Sequence, residues 1–122
     1  MNAKPASAQT DQGTESGNQQ LFHDNFAGVA MQASPSGSTQ PIRVATTGVF
    51  EFDFVSTTLE VGDMLGSDEN AGGTALMNQT VAKVTNANAA VGRCAKRLNP
   101  AGTRVLVDIV SSVLKGGTQA VL

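Results

Sequence analysis

A chain of 122 residues with a formal net charge of -2 supports one domain built on one modest core. Five Phe, no Tyr and no Trp make that core mostly aliphatic and leave the surface without the stacking platforms of a single-strand nucleic-acid binder; the negative balance also argues against DNA. Cys94 is the only cysteine, so no intramolecular disulfide is available, and the apolar runs are far shorter than the roughly twenty residues that span a bilayer. These features predict a cytoplasmic origin and no membrane segment.

Met1 to Gln20 hold no large apolar residue except Met1, a composition that offsets little of the entropy of ordering. The expectation is a flexible, extended polar N-terminal arm over residues 1–20 joined to a single domain over residues 21–122. With no basic start, apolar run or small-residue cleavage site, the arm reads as part of the mature protein and not as a secretory signal.

Leu21 to Ala27 fit either an entering strand or one helical turn, and Gly28 to Gln32 a short strand before a loop rich in Pro and Gly at 34–41. From Ile42 to Phe54 the even positions read Ile42, Val44, Thr46, Gly48, Phe50, Phe52 and Phe54, whereas the odd ones include Arg43, Thr47, Glu51 and Asp53. That period of two marks a half-buried strand, bent or broken at Thr47-Gly48, with the three Phe at the centre of the core. Ser56 to Thr58 read as a turn and 66–74 as a polar, Gly-rich loop. Leu76 to Val84 and Val91 to Leu98 are strands, Asn99 to Gly102 a turn, and Arg104 to Val110 the last strand, with Val105, Val107 and Ile109 on one face. Helix is confined to a short Ala-rich piece at 86–91 and a turn at 111–114. The predicted fold class is therefore all-β, a small antiparallel β-barrel or sandwich with the polar arm attached.

The chemistry on offer is sparse. His23 is the only histidine, which removes most metal sites and nucleophile-base pairs, and its neighbour Asp24 does not face it in regular structure. Cys94 stands near Arg93, Lys96 and Arg97, which would favour a thiolate, although a buried structural thiol suits a lone cysteine better. Asp63, Asp68, Glu69 and Asn70 offer oxygen ligands without the alternating spacing of a calcium loop. Lys115 to Thr118 resemble the end of a phosphate loop but lack its upstream glycine, and Glu51 with Asp53 read as a solvated face. No catalytic residue, cofactor or metal is expected. One charge pattern stands out: residues 49–69 carry six acids and no base, while 93–104 carry Arg93, Lys96, Arg97 and Arg104 and no acid. Opposed patches of this kind either favour association or are two ordinary solvated edges.

The phrases Gly28-Val-Ala30, Thr47-Gly-Val-Phe50, Val61-Gly-Asp63 and Val91-Gly-Arg93 occur in the order found in bacteriophage capsid cement, or head decoration, proteins, which this chain resembles over roughly Gly28 to Ile109. In that family a GVA strand, a GVF strand, a VGD turn and a VG(R) strand build a small β-barrel. The resemblance implies a non-enzymatic protein bound to the outer surface of the virion shell, self-associated as a homo-oligomer (trimer or dimer) and contacting the major capsid protein, with no direct nucleic-acid or membrane partner. It also implies an arm that reaches neighbouring subunits, which residues 1–20 would fit; Leu21, Phe22 and Phe26 are candidate anchors where that arm joins the barrel, with plain core packing as the alternative, and the basic stretch offers Arg93 and Arg97 as protein-binding residues. An alternative is a lipoyl-like hammerhead barrel acting as a small carrier or interaction domain. Glu60 to Leu65 followed by Asp68 to Ala71 resemble that family's approach to its modified lysine, but Asn70 stands where the lysine would be.

Overall fold

Five strands whose alternate residues turn inward close into a barrel, and the computed structural model describes its residues 3–33, 35 and 37–118. In chain order the elements are a 3₁₀ turn at Ala6–Ala8, α1 (Glu15–Asn25), β1 (Val29–Ala30), β2 (Val44–Ala45), β3 (Thr47–Leu59), β4 (Met64–Glu69), β5 (Leu76–Lys83), a 3₁₀ turn at Ala87–Ala89, β6 (Ala90–Cys94), β7 (Leu98–Val110) and α2 (Ser112–Lys115). The barrel order is β3-β5-β4-β6-β7, and β1 with β2 forms a separate antiparallel pair. This is the small all-β barrel expected from the alternation.

Four of the barrel's contacts are antiparallel and one, β3 with β5, is parallel. The reason is topological. The turn after β3 reverses the chain into β4 one place further round, and the β4–β5 hairpin returns into the gap, so β5 runs the same way as β3. The β3–β7 ladder extends from Thr47↔Val110 to Leu59↔Leu98, with irregularities after Asp53. The β3–β5 contact is confined to Asp53↔Thr80 and Phe54↔Val81.

The core centres on Leu59, Leu65, Val107 and Ile109, each at most 1% exposed. Of the three Phe expected there, Phe54 is buried, whereas Phe50 and Phe52 are half-buried and pack against the cluster from outside its centre. Their half of β3 lies before the parallel contact, where no strand of the described residues covers it on the β5 side.

Several local expectations are corrected. The break before β3 falls at Thr46, and Ser56 to Thr58 continue β3 where a turn was expected. β4 runs through Gly66 to Glu69, which composition assigns to a loop, and Asn99 to Gly102 belong to β7. Leu21 to Asn25 are the second half of α1, so the compositional boundary between residues 20 and 21 falls inside one helix. Thr14 caps that helix, its hydroxyl accepting from Gly17 N at 3.0 Å. Met1, Asn2 and residues 119–122 lie outside the described residues.

Candidate docking cleft

Because β3 and β5 meet at two positions only, they splay on one side of that contact. The splay opens a cleft of about 1020 Å³. Phe52, Val81 and Val91 line it from the barrel, Leu21, Phe22 and Phe26 from α1 and its C-cap, Val29 and Val44 from the β1–β2 pair, and Ala3 to Ala6 with Gln9 and Thr10 from the N-terminal segment. On β5, Gln79 takes a positive φ of 59° at the cleft, a backbone turn that interrupts regular pairing there.

Polar amides hold the helix against the barrel. Asn18, 1% exposed, donates from Nδ2 to Asp11 Oδ1 at 3.1 Å and Glu69 Oε1 at 2.8 Å, while its Oδ1 accepts from Gln12 N at 2.7 Å. Gln19 donates to the Ser67 carbonyl at 2.9 Å, and His23 Nδ1 bonds the Ala90 carbonyl at 2.6 Å. The 3₁₀ turn is tied to β5 by a reciprocal pair: Ser7 N to Asn78 Oδ1 at 2.9 Å and Asn78 Nδ2 to Ser7 Oγ at 3.1 Å. The polar stretch thus packs through hydrogen bonds, a signal that hydropathy does not register; Thr14-Glu15 as cap and first-turn acid is the local sequence sign of the helix.

Of the protein-binding residues expected from sequence, Leu21 and Phe22 are half-buried on α1, and Phe26 is buried with its ring centroid 5.6 Å from that of Phe22. The Phe26 carbonyl accepts from Ser112 N at 2.9 Å and Ser111 Oγ at 3.1 Å, fastening the entrance of the barrel to its exit. Arg93 and Arg97 lie elsewhere, beside the β3–β4 turn. Arg93 donates to the Gly62 carbonyl at 2.7 Å, and Arg97 pairs with Glu60 at 3.0 Å. Arg104 in turn bridges Glu51 at 2.8 Å and Asp53 at 3.7 Å. Acidic and basic stretches that looked free to meet another molecule therefore meet partly within the chain, in exposed pairs that solvent screens.

The turn Glu60–Asp63 is closed by Asp63 N on the Glu60 carbonyl at 3.1 Å and by Glu60 N on Asp63 Oδ2 at 2.9 Å, with Gly62 at φ 92°. Gly62 N and Cys94 N bond across to the Cys94 and Asp63 carbonyls at 2.9 and 2.8 Å, so the Val-Gly-Asp and Val-Gly-Arg phrases are knit together. Cys94 is 2% exposed with its thiol on the Lys96 carbonyl at 3.0 Å, and burial pushes its pKa up, which leaves it unreactive. Asp63, Asp68, Glu69 and Asn70 serve separate purposes: Asp63 pairs with Lys83 at 3.5 Å, Glu69 accepts from Asn18, and Asn70 closes its own loop on Thr74. Among the described residues no group of three or more His, Cys, Asp or Glu is placed to hold a metal, and no helix is long and apolar enough to cross a membrane. Lys115 ends α2, followed by Gly116 as a left-handed cap.

Where α1 meets β4, burial raises the pKa of Glu15 and of Asp68, with repulsion from neighbouring carboxylates adding to it, while the Asn18 hydrogen bond lowers that of Asp11. A raised carboxyl pKa gives stability that is complete below the unfolded value, 3.8 for Asp68, and is lost as pH rises through the folded value. Asp68→Asn should therefore raise the melting temperature at pH 7 and leave it nearly unchanged near pH 4. Equal shifts at both pH values in thermal scans would exclude this electrostatic cause.

Compared with known protein families, curated proteins and solved structures, the chain gives no match.

Proposed function

We propose that this chain is a non-enzymatic cement protein that binds the outer surface of a phage head as a homo-oligomer, contacts the major capsid protein and stabilises the shell. The observation that carries the reading is where the four family-like phrases fall. Gly28-Val-Ala30 enters and forms β1, Thr47 to Phe50 open β3, Val61-Gly-Asp63 makes the turn into β4, and Val91-Gly-Arg93 lies in β6. These are the strand, strand, turn and strand that the resemblance implies. A small closed barrel suits a protein that works by docking. Its exposed apolar side chains Val49 and Val55 on β3 and Val61 on the turn, each more than half exposed, add contact area for a partner.

The test is occupancy on purified heads of the virus that encodes the chain. Residues 3–10 are tied to β5 through Ser7 and to α1 through Gln9, so deleting residues 2–10, which leaves Thr14 and α1 whole, should reduce occupancy severalfold while barely moving the melting temperature. Arg97→Glu, which breaks only the exposed Glu60 pair, should weaken attachment in a salt-dependent way. Heads that carry no copy of the chain would overturn the reading, as would an intact mass revealing a carrier adduct.

A further inference from the structure

We propose that the open β3–β5 seam is a binding site for an uncharged amphiphile, an alkyl or aromatic body bearing one hydroxyl or carbonyl, seated with that group on the Ser67 hydroxyl. Ser67 is 4% exposed, yet its Oγ has no hydrogen-bond partner. It stands opposite Val81 in the β4–β5 ladder and two residues after Leu65, both core residues, so its side chain shares their inward face. Ser67 and Val81 both line the cleft. A buried hydroxyl left unpaired is costly and is normally satisfied by a protein group, a water or a ligand.

The rest of the lining sets the ligand class. Phe22, Phe52, Val29 and Val81 supply an apolar wall, with Asn25, Gln32, Gln79 and Thr80 among the uncharged polar residues around it, and the volume of about 1020 Å³ leaves room for a drug-sized molecule. Among the described residues Lys4, on the N-terminal wall, is the only charged side chain in the lining, so a charged ligand would be desolvated with little to compensate it. An apolar body with one neutral hydrogen-bonding group matches both conditions. This site is independent of any attachment to a shell.

The experiment is a titration of the full chain with n-decanol, followed by NMR. Saturable shifts centred on Ser67, Val81 and Phe52 are expected, with the carboxylate analogue n-decanoate binding at least about tenfold more weakly at pH 7. Ser67→Ala should keep the amide spectrum of the folded protein and weaken n-decanol about fivefold, the worth of one neutral hydrogen bond. Val29→Phe, which adds a ring to the apolar wall and fills part of the cleft, should weaken binding strongly. Shifts that do not saturate, shifts centred on exposed Val49 and Val55, or unchanged affinity in Ser67→Ala would each overturn the proposal. A response to shell-protein peptides without one to n-decanol would make the cleft a polypeptide groove and overturn it as well.

Discussion

Gly92→Ala should prevent the barrel from closing in its native register. A Cβ on Gly92 would lie 2.3 Å from the Asp108 carbonyl oxygen and 2.8 Å from Val107 Cγ1; the first contact is with the backbone of the facing strand, and no rotamer change relieves it. β6 and β7 pair through Gly92↔Ile109 at this point, and the backbones approach closely because position 92 has no side chain. Relief requires β6 to move away from β7, which would disturb Ile109 and Val107, both fully buried. The expected result is a loss of several kcal/mol, within the range of severe overpacking and a large share of a small domain's stability. Chemical denaturation checks it: a midpoint near that of the unsubstituted protein would mean the strands tolerate a wider spacing.

Phe54→Ala should cost about 3–5 kcal/mol, and Phe52→Ala distinctly less. Both rings point to the same side of β3, but Phe54 sits at the parallel contact with β5, opposite Val81, and is 5% exposed. Phe52 lies on the cleft wall, half-buried, so truncating it enlarges a space already open to solvent and leaves less of a new cavity. Equal losses in urea denaturation would place both rings in one closed core and contradict the splayed seam.

The two rings also mark how far the sequence reached. Alternation from Ile42 to Phe54 identifies a strand and its inward face, because a period of two is a property of the strand itself. Which inward residues are covered depends on where a second strand arrives, and β5 reaches β3 through a return that no local pattern encodes. The barrel class was therefore legible, whereas the centre of the core, expected at Phe50, Phe52 and Phe54 on β3, lies at Leu59, Leu65, Val107 and Ile109 on three strands. The helix over Glu15–Asn25 was hidden for a different reason: the residues it buries most deeply, Asn18 and Gln19, are amides whose partners lie on β4 and in the preceding loop. Composition registered a polar segment and could not register partners some fifty residues away. The internal partners of the charges were hidden in the same manner, since Glu51 and Arg104 become neighbours only once β3 and β7 pair. Of the residues now lining the cleft, Leu21, Phe22 and Phe26 were picked out from sequence as protein-binding residues, whereas Ser67, placed in a supposed loop, gave no sign of its burial.

The uneven closure of the barrel implies an order of events. Followed from β5 through β4, β6 and β7 to β3, every contact is antiparallel and joins a continuous curled sheet. The remaining contact, at Asp53↔Thr80 and Phe54↔Val81, turns that sheet into a cylinder. The molecule is thus a rolled ribbon held by a short clasp, able to part at the clasp while every other ladder persists. Native-state hydrogen exchange would register such parting as faster exchange at Thr80 and Val81 than along β3 and β7, a local opening that leaves the rest of the sheet folded.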